Sequence, residues 1–307
     1  MSDVHGVKDG STASDRTRLG QTIAAWFAAG HRELPWRAEG FSAWGTLVSE
    51  FMLQQTPVAR VIPRLEAWLE RWPTPADLAS VPPGEAVRAW DRLGYPRRAL
   101  NLHAAAVAIT EAHGGEVPSD VDALLALPGV GPYTARAVAS FAYGIRTPVV
   151  DVNVRRVLTR AVDGQAAAGP VRTRHELALM ETLLPVEPAV ARLVNAGTME
   201  LGSVVCTARS PRCEACPIAA ECTWRAQGYP AYDGPAISRQ KKYEGSDRQV
   251  RGIIMRELRS ADIPVDAHTL RSLWPDVDQV DRALAGLLRD GLVHGNPRSG
   301  YQLPGIA

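Results

Sequence analysis

The chain of 307 residues is long enough for one large or two to three small domains, each able to bury a core. Hydrophobic residues make up 46% and charged residues 22%, a globular balance, and no uncharged apolar run approaches the ~20 residues of a membrane helix. The formal net charge of +1 excludes a uniformly basic nucleic-acid binder, so any such surface must concentrate its charge on one face.

Residues 1–14 are polar, lack an apolar h-region and read as a disordered leader, so the expectation is a cytoplasmic protein with reduced thiols and no membrane partner. From there to about residue 228 the pattern is helical. Leu19, Ile23, Trp26 and Phe27 form one amphipathic stripe, and Val61, Ile62, Leu65, Trp68 and Leu69 form another. The segment RRALNLHAAAVAITEAHGG reads as a helix stopped by paired glycines, and no alternating strand pattern interrupts this region. The fold class is all-α.

Three segments carry chemistry. SEFMLQQT (residues 49–56) places Glu50 in an apolar stretch, where burial penalises a charged carboxylate and favours a general acid. A surface Glu on an amphipathic helix is the plainer alternative. LPGVGPYTA (127–135) puts Gly129 and Gly131 in a tight turn before a helix, where backbone N–H groups and the helix dipole can hold a phosphate. A simple helix connection would look the same, but the Lys and Ser/Thr of a nucleotide-binding loop are missing. In VVDVNVRRV (149–157) Asp151 precedes a helix start, and it could serve merely as a cap.

All the cysteines, Cys206, Cys213, Cys216 and Cys222, fall within residues 206–222 with the spacing C-x6-C-x2-C-x5-C. Four close thiolates suit zinc or an iron–sulfur cluster, and the single short knuckle favours one cubane over a zinc ribbon. Two disulfides would be out of place in a chain without a secretory segment. Between the first two ligands TARSPR carries Arg209 and Arg212, suited to phosphate contact. Residues 229–247 are Pro-, Gly- and Lys-containing and read as a linker. Residues 248–307 pattern as three helices and a terminal hairpin, a winged-helix-like unit whose role is DNA contact, protein contact or packing.

Taken in order, LPWR, SEFMLQQT, LGY, LPGVGPYTA, VVDVNVRRV, TMELG and the cysteine cage resemble a MutY-type adenine DNA glycosylase, of the helix-hairpin-helix, iron–sulfur superfamily that includes endonuclease III. The resemblance covers about residues 15–225. It implies a two-lobed fold: 15–38 with 151–228 as the lobe of a [4Fe-4S] cluster, and 39–150 as a six-helix lobe with the helix-hairpin-helix. It implies a base excision repair enzyme that flips adenine mispaired with 8-oxoguanine or guanine out of double-stranded DNA. Glu50 would protonate the adenine ring and position water. Asp151 would stabilise the oxocarbenium sugar, directly or as a covalent adduct, with Asn153 and Tyr133 bracing the site. Trp36, Arg37 and Glu200 would line the base pocket. Gln55 and Tyr95 would wedge into the stack, with Thr56 near the opposing base.

Relatives that also cut the strand have Lys where Tyr133 stands, because an amine forms a Schiff base, so the expectation is a monofunctional, monomeric enzyme that leaves an abasic site. Two departures stand out. Val152 occupies the family's usual glycine after the catalytic Asp, which can narrow the approach to the sugar or shift the backbone. Residues 248–307 are too few for the family's NUDIX-like reader of 8-oxoguanine, so strong discrimination for that base is not expected, and Gln55 and Thr56 could supply only part of it. A thymine or uracil mismatch glycosylase and a non-catalytic damage binder are the competing readings, and a bacterial source would add nucleoid association.

Overall fold

The structure is a computed structural model that describes residues 13–235 and 242–306. Most of the expected leader, residues 1–12, and residues 236–241 of the expected linker lie outside the described residues. Among the described residues the chain forms helices α1 (Ala13–Ala29), α2 (Ala43–Leu53), α3 (Val58–Arg71), α4 (Pro75–Ala79), α5 (Pro83–Trp90), α6 (Arg97–Ala112), α7 (Val121–Leu125) and α8 (Pro132–Tyr143). These are followed by α9 (Val152–Ala161), α10 (Thr173–Leu183), α11 (Pro188–Val204), α12 (Thr223–Ala226), α13 (Asp247–Ser260), α14 (Ala267–Ser272) and α15 (Val277–Arg289). The strands β1 (His294–Asn296) and β2 (Gly300–Gln302) form the single sheet among the described residues. The all-α expectation stands, and no described helix is long and apolar enough to cross a membrane.

Contacts divide the chain into two units. One joins the segment up to Glu33 to the segment from Arg136 through the cysteines; the other joins Leu34–Ala135 to the C-terminal segment. The division falls within α8, whereas the family resemblance implies a boundary at residue 150.

The core of the first unit is the apolar stripe of α1 packed on α9, α10 and α11. Leu19, Ile23, Val154, Leu158, Met180, Leu183, Val194 and Leu201 are buried there, and Cys206, Cys216 and Cys222 pack against its edge. Asn195, fully buried on α11, ties in the segment that leads to α9. Its Oδ1 accepts from Val149 N at 3.1 Å, and its Nδ2 donates to Thr147 O at 2.9 Å and Ser140 Oγ at 3.0 Å. A buried amide with its polar atoms satisfied holds a loop firmly, because losing any one bond strands its partner in the core.

In the second unit α2 is buried along nearly its whole length, beginning at Ser42, whose side chain caps it by accepting from Gly45 N. Trp68 meets Trp72 and Trp90 edge-on at centroid distances of 4.7 and 5.7 Å, and Trp44 Nε1 donates to Trp72 O at 3.0 Å. Such rings each bury about 150–250 Å2, which makes this group the main apolar anchor of the unit. Asp120 caps α7 by accepting from Asp122 N and Ala123 N, and the turn that follows leads into α8 as a helix-hairpin-helix.

The C-terminal segment has the expected winged-helix shape: three helices, a hairpin in register Gly295↔Tyr301, and a bridge Val265↔Tyr301. It packs onto α5 within the same unit. Arg259 Nε donates to Val87 O at 3.1 Å and Arg88 Nη2 to Ala261 O at 3.1 Å. The α5 N-terminus has Pro82 as its cap residue and no side-chain cap bond. Pro304 O accepts from Gly84 N at 2.7 Å and so satisfies one of its orphan donors.

Candidate active site and metal centre

Asp151 is the N-cap of α9. Its Oδ1 accepts from Asn153 N at 2.9 Å and Val154 N at 2.7 Å, and its Oδ2 accepts from Asn153 Nδ2 at 2.7 Å. Burial pushes this carboxyl above its ordinary value, while the three hydrogen bonds and the Arg156 charge pull it back. The cap role does not preclude a catalytic one: the bonds that start the helix also fix the direction of the carboxylate. Val152 is 66% exposed and leaves the cap intact, so the side chain that replaces the family's glycine points to solvent and does not displace the backbone.

Behind Asp151 stands a support that sequence reasoning missed. Arg156 Nη2 donates to Asn153 Oδ1 at 2.7 Å and Gly202 O at 2.6 Å, and its Nε donates to Cys206 O at 2.7 Å. The Asn153 amide is thus held at both ends, its Nδ2 on Asp151 and its Oδ1 on Arg156. Gly202 of the TMELG motif lets α11 approach this point. A Cβ there would meet Asn153 O at 2.7 Å and Asn153 Cβ at 2.8 Å. Glu200, two residues earlier, is 2% exposed and makes a bidentate ion pair with Arg32, Nε to Oε1 and Nη2 to Oε2 at 2.6 Å each. The hydrogen bond to Glu200 is the main reason that the Arg32 pKa is raised.

In the other unit Glu50 is 5% exposed, midway along α2 between buried Ser49 and Phe51, which answers the question of a surface Glu. Trp36 and Arg37 form a short 3-10 turn, Pro35–Arg37, and both are half-buried. Gln55 and Tyr95 are exposed on turns with left-handed backbone, φ 54° and 46°. Thr56, expected near the opposing base, is 7% exposed, and its hydroxyl accepts from Arg98 Nη2 and donates to Leu93 O. Tyr133 is half-buried at the start of α8.

The two hairpin glycines differ. Gly129 has φ 75°, and a Cβ on it would strike Asn101 at 2.5 Å, so both backbone angle and packing demand glycine. A Cβ on Gly131 would meet nothing in the protein, so the close-approach argument holds within the fold for Gly129 alone. At Gly131 only an external group such as a phosphate could make that demand.

The four cysteines are free thiols that line one pocket. Cys206 follows α11, Cys213 opens a 3-10 turn closed by Cys216, and Cys222 caps α12. Among the described residues no three His, Cys, Asp or Glu side chains converge as a single-ion site. Burial pushes the Cys216 thiol up to about 11 and the Cys222 thiol upward as well. Four thiolates therefore require a strongly cationic centre among them. Arg160, 5% exposed, donates to Cys206 Sγ at 3.3 Å and Thr207 O at 2.8 Å, and lies 4.8 Å from the Trp224 ring. In the same loop Arg212 donates back to Val204 O, while Arg209 is exposed to solvent.

A helical hairpin turn, a buried glutamate, a braced aspartate and a cubane-type cage define an iron–sulfur DNA repair glycosylase. Residues 48–181 match the family profile described as HhH-GPD superfamily base excision DNA repair protein, and residues 206–222 match the iron–sulfur binding domain of endonuclease III. The chain is 52% identical over 284 residues to the adenine DNA glycosylase of Mycolicibacterium smegmatis, spanning 92% of this chain and 95% of that relative. It is 47% identical over 302 residues to that of Mycobacterium tuberculosis, spanning 98% of each. Among solved structures, a thermostable thymine-DNA glycosylase superposes with a TM-score of 0.63 at 27% identity, over 70% of this chain and 100% of that one. The chain belongs to the MutY-type adenine DNA glycosylases, base excision repair enzymes, with a [4Fe-4S] cluster on Cys206, Cys213, Cys216 and Cys222. It binds DNA.

Proposed function

We propose that this glycosylase removes adenine opposite 8-oxoguanine or guanine and leaves an abasic site. The observation that carries the reading is the state of Asp151: a half-buried carboxylate held by three hydrogen bonds whose donors are themselves fixed. Glu50 donates a proton to the adenine ring, which turns it into a good leaving group as the glycosidic bond breaks. Positive charge then develops on the sugar, and ionised Asp151 stabilises it without moving. Glu50, now ionised, takes a proton from the attacking water, whose oxygen bonds to the sugar carbon, and the acid is restored. Asn153 braces Asp151, and Tyr133, lacking an amine, forms no Schiff base.

Trp36, Arg37 and Glu200 would enclose the flipped adenine, with the Glu200 charge balanced by Arg32. Gln55 and Tyr95 would fill the gap in the stack, a role supported by their exposure on sharp turns. The hairpin at Gly129 and Gly131 and exposed Arg209 would hold phosphates. Bound on its thiolates, the [4Fe-4S] cluster has its protein ligand positions filled, so it supplies charge and cross-linking and not a substrate site. For the C-terminal unit the contacts favour packing over a grip on DNA. Arg271 and Arg282 are engaged by Asp281 and Asp247, and Pro304 caps α5. A monomeric, cytoplasmic enzyme is part of the same proposal.

Single-turnover excision on duplexes carrying A opposite 8-oxoguanine, A opposite G, T opposite G and U opposite G tests this reading. Adenine release on the first two, without borohydride trapping of protein on DNA, is expected. Release of thymine or uracil alone would overturn the reading, as would tight binding with no excision on any duplex.

A further inference from the structure

Gln55 and Tyr95 lie on turns separated by forty residues of sequence, yet a single buried side chain holds both. Arg98, 8% exposed, reaches from the start of α6 into the space between the turns. Its Nη1 donates to Phe51 O at 2.6 Å, Met52 O at 3.1 Å and Gln54 O at 2.7 Å. Its Nη2 donates to Thr56 Oγ1 at 3.0 Å and Gly94 O at 3.0 Å. The first three acceptors are carbonyls at the C-terminal end of α2, which have no partner within the helix and carry the negative end of its dipole. The last is the carbonyl that immediately precedes Tyr95. The Trp90 and Tyr95 rings lie 5.1 and 5.7 Å from the guanidinium carbon. Burial lowers the Arg98 pKa to about 10, which leaves it a cation at neutral pH.

We propose that Arg98 is a positioning residue that locks the Gln55 turn and the Tyr95 turn into one rigid wedge, so that base extrusion depends on a side chain that touches no DNA. The proposal rests on the reading of Gln55 and Tyr95 as the residues that enter the stack. Both have a left-handed backbone, a region that side chains other than Gly, Asn and Asp rarely adopt, and such a conformation persists only where its surroundings over-determine it. Arg98 supplies that determination, because its planar fork serves acceptors on both turns at once. A lysine has the charge but one nitrogen, and cannot hold both.

The test uses the full-length holoenzyme and a duplex with 2-aminopurine stacked beside the target adenine, with fluorescence reporting extrusion and quench-flow reporting excision. Arg98→Lys should slow extrusion and excision by about 10- to 100-fold. Affinity for a duplex with an abasic analogue at the target position should change much less, because no base remains to extrude. In a Gln55→Ala/Tyr95→Ala background, adding Arg98→Lys should cause little further loss, since the wedge it positions is gone. Equal slowing in both backgrounds, extrusion by Arg98→Lys at the wild-type rate, or a loss no greater than the fall in folded protein by circular dichroism would overturn the proposal. The wedge reading is judged separately. If Gln55→Ala/Tyr95→Ala alone extrudes at the wild-type rate, that reading fails and takes the Arg98 proposal with it. If that pair is slow while Arg98→Lys is normal, only the Arg98 proposal fails.

Discussion

Gly202→Ala sets two physical effects against each other. Gly202 lies inside α11, where alanine is the better helix former by about 1 kcal/mol. If nothing stood nearby, the substitution would stabilise the protein. The added Cβ, however, would meet Asn153 O at 2.7 Å, Asn153 Cβ at 2.8 Å and Asn153 C at 2.9 Å, all part of a neighbouring helix and not a flexible tip. Relieving such contacts requires a shift of about 0.5 Å, and overpacking of this kind costs about 1–3 kcal/mol. The clash wins by up to about 2 kcal/mol, a fall of up to about 5 °C in the melting temperature. Excision should suffer more than stability. The residue pushed is Asn153, whose main chain and side chain both fix Asp151, and misplacing a reacting group by 1 Å can cost about 100-fold. Single-turnover adenine release should fall by about tenfold or more while the visible absorbance of the cluster persists. An alanine variant that melts higher and excises normally would refute the reasoning.

Four other variants test neighbouring contacts. Because burial raises the Asp151 pKa, the ionised form needed for catalysis is lost at a higher pH than for an ordinary carboxylate. The sign for stability follows: a carboxyl raised in the folded state contributes stability below its unfolded pKa, and that is lost as pH rises through the folded value. Asp151→Asn, which keeps a capping oxygen, should therefore melt no lower than wild type at neutral pH while abolishing excision, and Asn153→Ala should move the acid limb of the pH–rate profile upward. Arg160→Met removes the donor to Cys206 Sγ and Thr207 O, so iron content should fall and the visible band should bleach faster in air. Arg32→Ala strands the buried Glu200 carboxylate; with Arg32 40% exposed, the loss should be about 2 kcal/mol by thermal melting, and Glu200→Gln in the same background should recover part of it.

Much of the site was legible because its chemistry resides in residue types at fixed spacing. The four thiolates, the Glu50 stretch, the hairpin glycines and Asp151 before a helix are local patterns, and the structure has each on the element that sequence patterning assigned. The arginines were not legible. Arg32, Arg98, Arg156 and Arg160 act on partners 168, 47, 50 and 46 residues away, and a long-range guanidinium has no periodic signature. Thr56 and Gly131 show the opposite limit. Their motif suggested a direct role, and only the three-dimensional surroundings reveal that the Thr56 hydroxyl bonds to Leu93 O of the neighbouring turn and that a Cβ on Gly131 would meet no protein atom. The C-terminal unit was legible in shape, through its helices and hairpin, and not in its attachment to α5, which runs through main-chain carbonyls.

The most direct measurement is single-turnover release of adenine from an A opposite G duplex by wild-type protein and by Glu50→Gln, with binding of the same duplex measured alongside. Glutamine keeps the shape of the side chain within α2 and removes its exchangeable acid proton. The account predicts rapid release by wild type, no detectable release by Glu50→Gln, and duplex affinity within about threefold for the two, since the lost interaction belongs to the transition state. Adenine release by Glu50→Gln at the wild-type rate would contradict it.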